Sequence, residues 1–510
     1  MQNTFQAINP ATGETLVGDF YESSTEEVNQ ACVQAAKAFK TYRKLSGADK
    51  AAFLERIADE IVALGDELLE RAHLETGLPL PRLTGERGRT VGQLRLFAEY
   101  VREGSWVDAR IDPALPERQP LPRVDLRQML IPLGPVGIFG ASNFPLAFSV
   151  AGGDTASALA SGCTVVVKAH PAHPGTSDLV GKAIRKAVEA SGLPEGVFQL
   201  VGGRGIDVGM AIVQHPAIKA IGFTGSFRGG KAIYDAAVRR IEPIPVYAEM
   251  GSTNPVFFLP QILKEKGLSL AQSYVDSVTL GAGQFCTNPG IAVIKQSDGG
   301  DAFISQARLA IKNTKPVPML TQGIFQAYSS GVEKLNGVSR VIVAGTSETL
   351  VDGFSHGTPT LLSTTADVFI ESPDLEDEVF GPSSLMVVAD TRDEMLKVAT
   401  NLEGHLTATV YGTPEELEEY ADLLEILEQK VGRLIINGFP TGVEVSHAMT
   451  HGGPFPATTD SRSTSVGTNA IRRFARPVCY QNFPEALLPD ELKAGNPLGI
   501  WRLWDGKMAQ

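Results

Sequence analysis

The chain has 510 residues, 43% of them hydrophobic, which is enough for two or three separate cores. Its 45 basic and 58 acidic residues leave a formal charge of −13, which argues against a nucleic-acid surface and means that any anionic ligand needs local cations. The four cysteines, Cys32, Cys163, Cys286 and Cys479, are too few and too scattered for a disulfide framework or a zinc module, and they suit a reducing cytoplasm.

The opening segment, MQNTFQAINPATGE, has neither a basic start nor an apolar core, so no secretory signal is expected. Ser24 to Glu27 supply a hydroxyl cap and first-turn acids for an alanine-rich helix reaching about Leu45. Ser46 caps a longer helix in which Leu54, Ile57, Ile61, Leu64 and Leu68 recur at helical spacing. A third helix is expected near Arg87 to Arg102, then a proline-studded link over about 108–122. The stretch from Met129 to Gly153 carries no charge, but Pro132, Pro135 and Pro145 make it a buried strand and loop rather than a membrane helix.

From there strands and helices alternate. Strands are expected at Val136 to Phe139, Cys163 to Lys168, Ala220 to Phe223 and Ile244 to Ala248, with helices over 151–160 and 176–191. Alternation with buried β-branched strands implies a parallel, doubly wound sheet of Rossmann type. The pattern restarts at Val256 to Phe258, followed by Ala292 to Ile294, Leu385 to Val388, Thr407 to Val410 and Leu434 to Ile436, which predicts a second α/β domain.

Four short segments carry chemistry. GQFCTNPG sets Cys286 in a small-residue turn open to an incoming carbonyl carbon, as a thiolate nucleophile requires. Glu249, in AEMGSTNP, ends a predicted strand, where active-site groups of α/β folds collect, and is the candidate general base. Asn143, in GASNFPLAF, is the candidate oxyanion donor together with the backbone N–H of Cys286. FTGSFRGG gives a Gly-x4-Gly turn, Gly225 to Gly230 with Ser226, whose backbone N–H groups are open to a close anionic group.

Together these segments resemble the NAD(P)-dependent aldehyde dehydrogenase superfamily, from INPATGE to the segment after Asn437. The resemblance implies a coenzyme-binding domain from residues 1–107 and 131–248, and a catalytic domain over 249–468. It also implies an oligomerisation arm from 108–130 and 469–510, and hence a homodimer or homotetramer. It implies that Glu378 and Phe380, in EDEVFGP, hold the nicotinamide ribose and back its ring. Where relatives carry E-L-G-G the chain has Glu249-Met250-Gly251-Ser252, and Ser142 stands where many carry tryptophan.

Lys168 follows the strand Val165 to Val167 and is expected at the adenosine ribose. NAD-preferring relatives carry Lys-x-x-Glu there, whereas this chain reads Lys168-Ala169-His170-Pro171. Loss of that carboxylate removes a repulsion against a 2′-phosphate. NADP is therefore expected to be accepted and preferred, alongside NAD, with Lys168 as the cation and Arg204 as a weaker candidate.

His170 with His173, and His447 with His451, have metal-like spacing, but neither pair has a cysteine or acid close by in sequence, so no metal is expected. The combination GASNFP, GQFCTNPG and NGFPTGVEVSHAMTHGGPFPATT resembles the 2-oxoglutarate semialdehyde (2,5-dioxopentanoate) dehydrogenases. The alternative within the same chemistry is an NADP-preferring oxidiser of broad-range or long-chain aliphatic aldehydes. Expected pocket walls are Phe144, Phe148, Phe285 and the loop 441–445, with Arg87, Arg89 and Arg95, on one helix with Gln93, as sources of a cation for a distal carboxylate, Arg89 foremost. A cysteine hydrolase or acyltransferase would want a histidine beside the thiol, and none lies near Cys286 in sequence. A catalytically silent protein on this fold has no need to keep Cys286, Glu249 and Asn143 together.

Overall fold

The computed structural model describes residues 3–351 and 353–510; residues 1–2, at the start of the expected coenzyme-binding unit, lie outside it. A small hairpin, β1 (Thr4–Phe5) with β2 (Phe20–Tyr21), leads into four helices. Helix α1 (Thr25–Tyr42) starts with a reciprocal capping box between Ser24 and Glu27. Helix α2 (Gly47–Ala63) is capped by Ser46, as expected, but ends early. Gly65 takes a positive φ of 59°, and α3 (Gly65–Thr76) starts anew, so the apolar period running to Leu68 spans two helices rather than one. Helix α4 (Leu80–Glu103) begins before Arg87, with proline in its first turn.

The first α/β unit is a five-stranded sheet of order β7-β6-β5-β8-β9, parallel throughout. Its strands are β5 (Val136–Phe139), β6 (Val165–Lys168), β7 (Phe198–Val201), β8 (Ala220–Thr224) and β9 (Val246–Glu249). The chain reverses its winding at β5 and β8, and the crevice at the carboxyl ends of these strands is where such sheets bind ligands. A second sheet of seven strands contains all five expected strands of the second unit, plus Ile342–Thr346 and Thr360–Thr365. The former is an exposed antiparallel edge with a bulge before Gly345, which blurs any strand periodicity.

The third sheet joins β3 (Arg110–Asp112) and β4 (Leu126–Pro132) to the C-terminal strands Ala475–Gln481, Arg502–Trp504 and Lys507–Ala509. Among the described residues no helix is long and apolar enough to cross a membrane. The uncharged stretch from Met129 forms the end of β4, then β5 and the loop beyond it.

Candidate active site

The loop leaving β5 carries Asn143, only 7% exposed. Two features of α4 and its start fix that loop. Arg82 donates through Nη2 to the Asn143 carbonyl at 2.8 Å, and buried Glu86 accepts from the Leu146 and Ala147 N–H groups at 2.8 and 3.0 Å. The Asn143 amide donates to the Gln284 carbonyl at 3.0 Å, tying it to the turn that bears Cys286. The Cys286 backbone N–H has no hydrogen-bond partner among the described residues, which leaves it free for an incoming oxygen.

Glu249 ends β9, as expected, and is 4% exposed. The structure adds a residue that linear spacing had set aside. His451, 1% exposed, places Nε2 3.1 Å from Glu249 Oε1 and 3.4 Å from Cys286 Sγ. The three side chains offer atoms all within 4.8 Å of one another. The thiol therefore does have a histidine neighbour, contrary to the expectation from sequence distance, and His451 has both an acid and a cysteine beside it. The second carboxylate oxygen of Glu249 accepts from Ser465 Oγ at 2.8 Å.

Electrostatics divides these groups. Burial pushes the Cys286 thiol well up, and the negative charge of Glu249 raises it further, against the smaller opposing pull of Arg89. Burial also raises the Glu249 carboxyl, but His451, Ser465 and Cys286 outweigh it and hold the group below its ordinary range. In this resting state the proton sits on sulfur and Glu249 is the anion.

The sulfur opens into a cavity of about 540 Å³ lined by Phe144, Phe148, Phe285, Arg433, His451 and the loop 441–444, with Arg89 on its wall. All the expected pocket aromatics are present. Arg89 Nη2 is buried without a hydrogen-bond partner, and the guanidinium lies 5.3 Å over the Phe148 ring and 6.0 Å over that of Phe144. Its helix neighbours are occupied elsewhere: Arg87 donates to the Gly65 carbonyl at 2.7 Å and Arg95 pairs with Asp59 at 3.0 Å. Arg433 shares the cavity but gives two N–H groups to the Gly442 and Pro440 carbonyls.

At the carboxyl ends of β6 and β8 lie the groups expected to hold a coenzyme. Ser226 caps α8 (Phe227–Val238), accepting the Gly229 N–H at 3.3 Å, while the remaining first-turn N–H groups have no acceptor within the helix. The turn hugs the protein closely: a Cβ on Gly225 would stand 2.7 Å from the Phe223 ring, and one on Gly230 2.5 Å from Met250. Lys168 is half-buried with no ion pair among the described residues, and burial lowers its ammonium to about 8. An exposed helix N-terminus and an unpaired ammonium at a sheet's switch point fit the phosphates of a dinucleotide. Glu378 accepts weakly from the Ser252 N–H at 3.4 Å, and with Phe380 it lines the crevice beside Gly283 and Phe285.

One carboxylate was missed here. Glu22, at the exit of β2, pairs with Arg204 Nε at 2.9 Å, and its charge also acts on Lys168. Arg204 in turn lies 5.4 Å over the Phe5 ring. The surroundings of Lys168 are therefore not free of acid, as the missing Lys-x-x-Glu had suggested. His170 and His173 stack on each other near Lys168, and His173 is tied to the Ala141 carbonyl and Ser177, so this pair is structural.

Comparison with known proteins identifies the family and the fold. The aldehyde dehydrogenase family model matches residues 1–465. A relative from Azospirillum brasilense, alpha-ketoglutaric semialdehyde dehydrogenase 2, is 53% identical over 99% of this chain and 96% of its own length. An alpha-ketoglutaric semialdehyde dehydrogenase from Acinetobacter baylyi is 48% identical over the same shares. The NAD⁺ complex of a Bacillus cereus aldehyde dehydrogenase superposes with a TM-score of 0.78 over 94% of this chain and 93% of that one, at 24% identity, and so shares the fold. The chain belongs to the aldehyde dehydrogenase family.

Proposed function

We propose that the protein oxidises 2-oxoglutarate semialdehyde to 2-oxoglutarate, with Cys286 as nucleophile and Glu249 as general base. The observation that carries the substrate is the half-buried guanidinium of Arg89 on the wall of the cysteine's cavity, which makes no ion pair among the described residues and has a buried Nη2 without a partner. A buried N–H left without an acceptor is costly, and a distal carboxylate on the substrate satisfies it. A long-chain aliphatic aldehyde would leave that cost in place. The names of the relatives from Azospirillum brasilense and Acinetobacter baylyi support the same substrate.

In this reading the aldehyde carbon meets Cys286 Sγ while its oxygen turns towards Asn143 Nδ2 and the Cys286 N–H. His451, between sulfur and carboxylate, takes the thiol proton on Nε2 and returns it to the sulfur when the acyl group leaves, while the Glu249 carboxylate beside it stabilises the imidazolium and stays ionised. Bound coenzyme supplies the hydride acceptor that converts the thiohemiacetal into a thioester. Glu249 then takes a proton from the water that attacks the acyl-cysteine, and the pocket aromatics exclude other water. The test is the wild-type product: 2-oxoglutarate and reduced coenzyme should appear in equal amounts from the semialdehyde. Faster oxidation of hexanal, or acid formation without coenzyme reduction, would point to the aliphatic oxidiser or to a hydrolase.

For the coenzyme, Gly225, Ser226 and the start of α8 receive the pyrophosphate, while Glu378 and Phe380 meet the nicotinamide end. Lys168 and Arg204 take a 2′-phosphate, so NADP is accepted, and Glu22 restrains its preference over NAD by neutralising Arg204. Replacing Glu22 by Gln should raise the NADP-to-NAD ratio of kcat/KM by about tenfold. It should also tighten 2′,5′-ADP binding in calorimetry without changing that of 5′-AMP; an unchanged ratio and affinity would remove Glu22 from coenzyme selection. Exposed Leu487, Leu498, Trp501 and Met508 in the C-terminal tail support a homodimer or homotetramer.

A further inference from the structure

We infer that Cys286, His451 and Glu249 also form a reversible, inhibitory binding site for zinc. The donor set is a thiol, an imidazole and a carboxylate, the mixture that zinc accepts in tetrahedral sites with one open position. The spacing fits. Tetrahedral zinc with bonds of ordinary length sets its nitrogen and oxygen ligands about 3.4 Å apart, and its nitrogen and sulfur ligands about 3.6 Å apart. Here His451 Nε2 stands 3.1 Å from Glu249 Oε1 and 3.4 Å from Cys286 Sγ, so small side-chain movements admit the ion. All three donor atoms lie within 4.8 Å of one another.

Charge and access agree with this assignment. A thiolate and a carboxylate neutralise a divalent cation in a setting that is otherwise buried. The cavity of about 540 Å³ reaches both Cys286 and His451, leaving an entry path and room for a fourth, water ligand. Binding forms the sulfur–zinc bond and releases the thiol proton to solvent, while His451 presents Nε2 and keeps its proton on Nδ1. That Nδ1 has no hydrogen-bond partner, and absence of such support weakens metal sites by about 10- to 100-fold. The site is thus a loose one that chelators clear, unlike a structural zinc centre. Occupied, it blocks sulfur from aldehyde and Glu249 from water together.

The binding stands on geometry alone; the inhibition rests on the catalytic reading of Cys286. The experiment titrates the coenzyme-free enzyme with cobalt(II), and with zinc in competition with a chromophoric chelator. The expected result is one ion per chain, tetrahedral cobalt bands, a sulfur-to-cobalt charge-transfer band and release of one proton. Cys286→Ser should abolish the charge-transfer band, and His451→Gln and Glu249→Gln should each weaken binding at least tenfold. Zinc should inhibit the wild-type enzyme, and a chelator should restore it. No stoichiometric binding, or a sulfur band that survives Cys286→Ser, overturns the site. Stoichiometric binding at these ligands without inhibition would keep the site but contradict the catalytic role of Cys286.

Discussion

Replacing Arg89 by Met should lower kcat/KM for 2-oxoglutarate semialdehyde by about 30- to 4,000-fold while leaving hexanal within a few-fold of the wild type. The guanidinium is half-buried, lies over Phe144 and Phe148, and has a buried Nη2 with no protein partner. Removing one half of a buried, hydrogen-bonded charge pair costs ~2–5 kcal/mol, which sets that range. Methionine retains the apolar stem against the aromatic rings, so packing survives. Part of the loss should appear in kcat, because the carboxylate contact also orients the aldehyde towards sulfur. Equal losses for both aldehydes would assign Arg89 a structural role; an unchanged semialdehyde rate would transfer the contact to Arg433, the other cavity arginine.

Replacing Glu249 by Gln should let the first half-reaction run and stall the second. Glutamine keeps the size of the side chain and its bonds to Ser465 and His451 but cannot take a proton from water. Loss of a positioned general base is expected to reduce steady-state turnover by about 10²- to 10⁴-fold. A burst of reduced coenzyme, approaching one equivalent per active site, should precede that slow phase, since His451 remains beside the sulfur. A variant turning over at the wild-type rate would remove Glu249 from deacylation.

Much of the site could be read from the sequence because its parts sit in local signals. Glu249 lies at a strand end, Cys286 in a glycine-rich turn and Asn143 in a proline loop, and the fold brings all three to one crevice. Arg89 was legible as one of several cations on a helix, and only the tertiary partners of Arg87 and Arg95 singled it out. His451 was not legible as a neighbour of the thiol because it arrives on a loop 165 positions away. Its surroundings carried a faint signal: Gly452 and Gly453 follow it, and a Cβ on either would collide with backbone oxygen at 2.5 and 2.2 Å, so this segment must pack tightly. Glu22 offered none, being a polar residue at the end of a two-stranded hairpin whose meaning comes only from Arg204. The helix break at Gly65 was hidden because the apolar period of α2 continues in α3.

The most direct measurement is mass spectrometry of the Glu249→Gln enzyme, quenched after mixing with 2-oxoglutarate semialdehyde and coenzyme. The chemistry proposed here predicts a stoichiometric 2-oxoglutaryl adduct on the peptide containing Cys286, formed together with the burst of reduced coenzyme. An adduct on another residue, or none in a variant that still shows the burst, would contradict it.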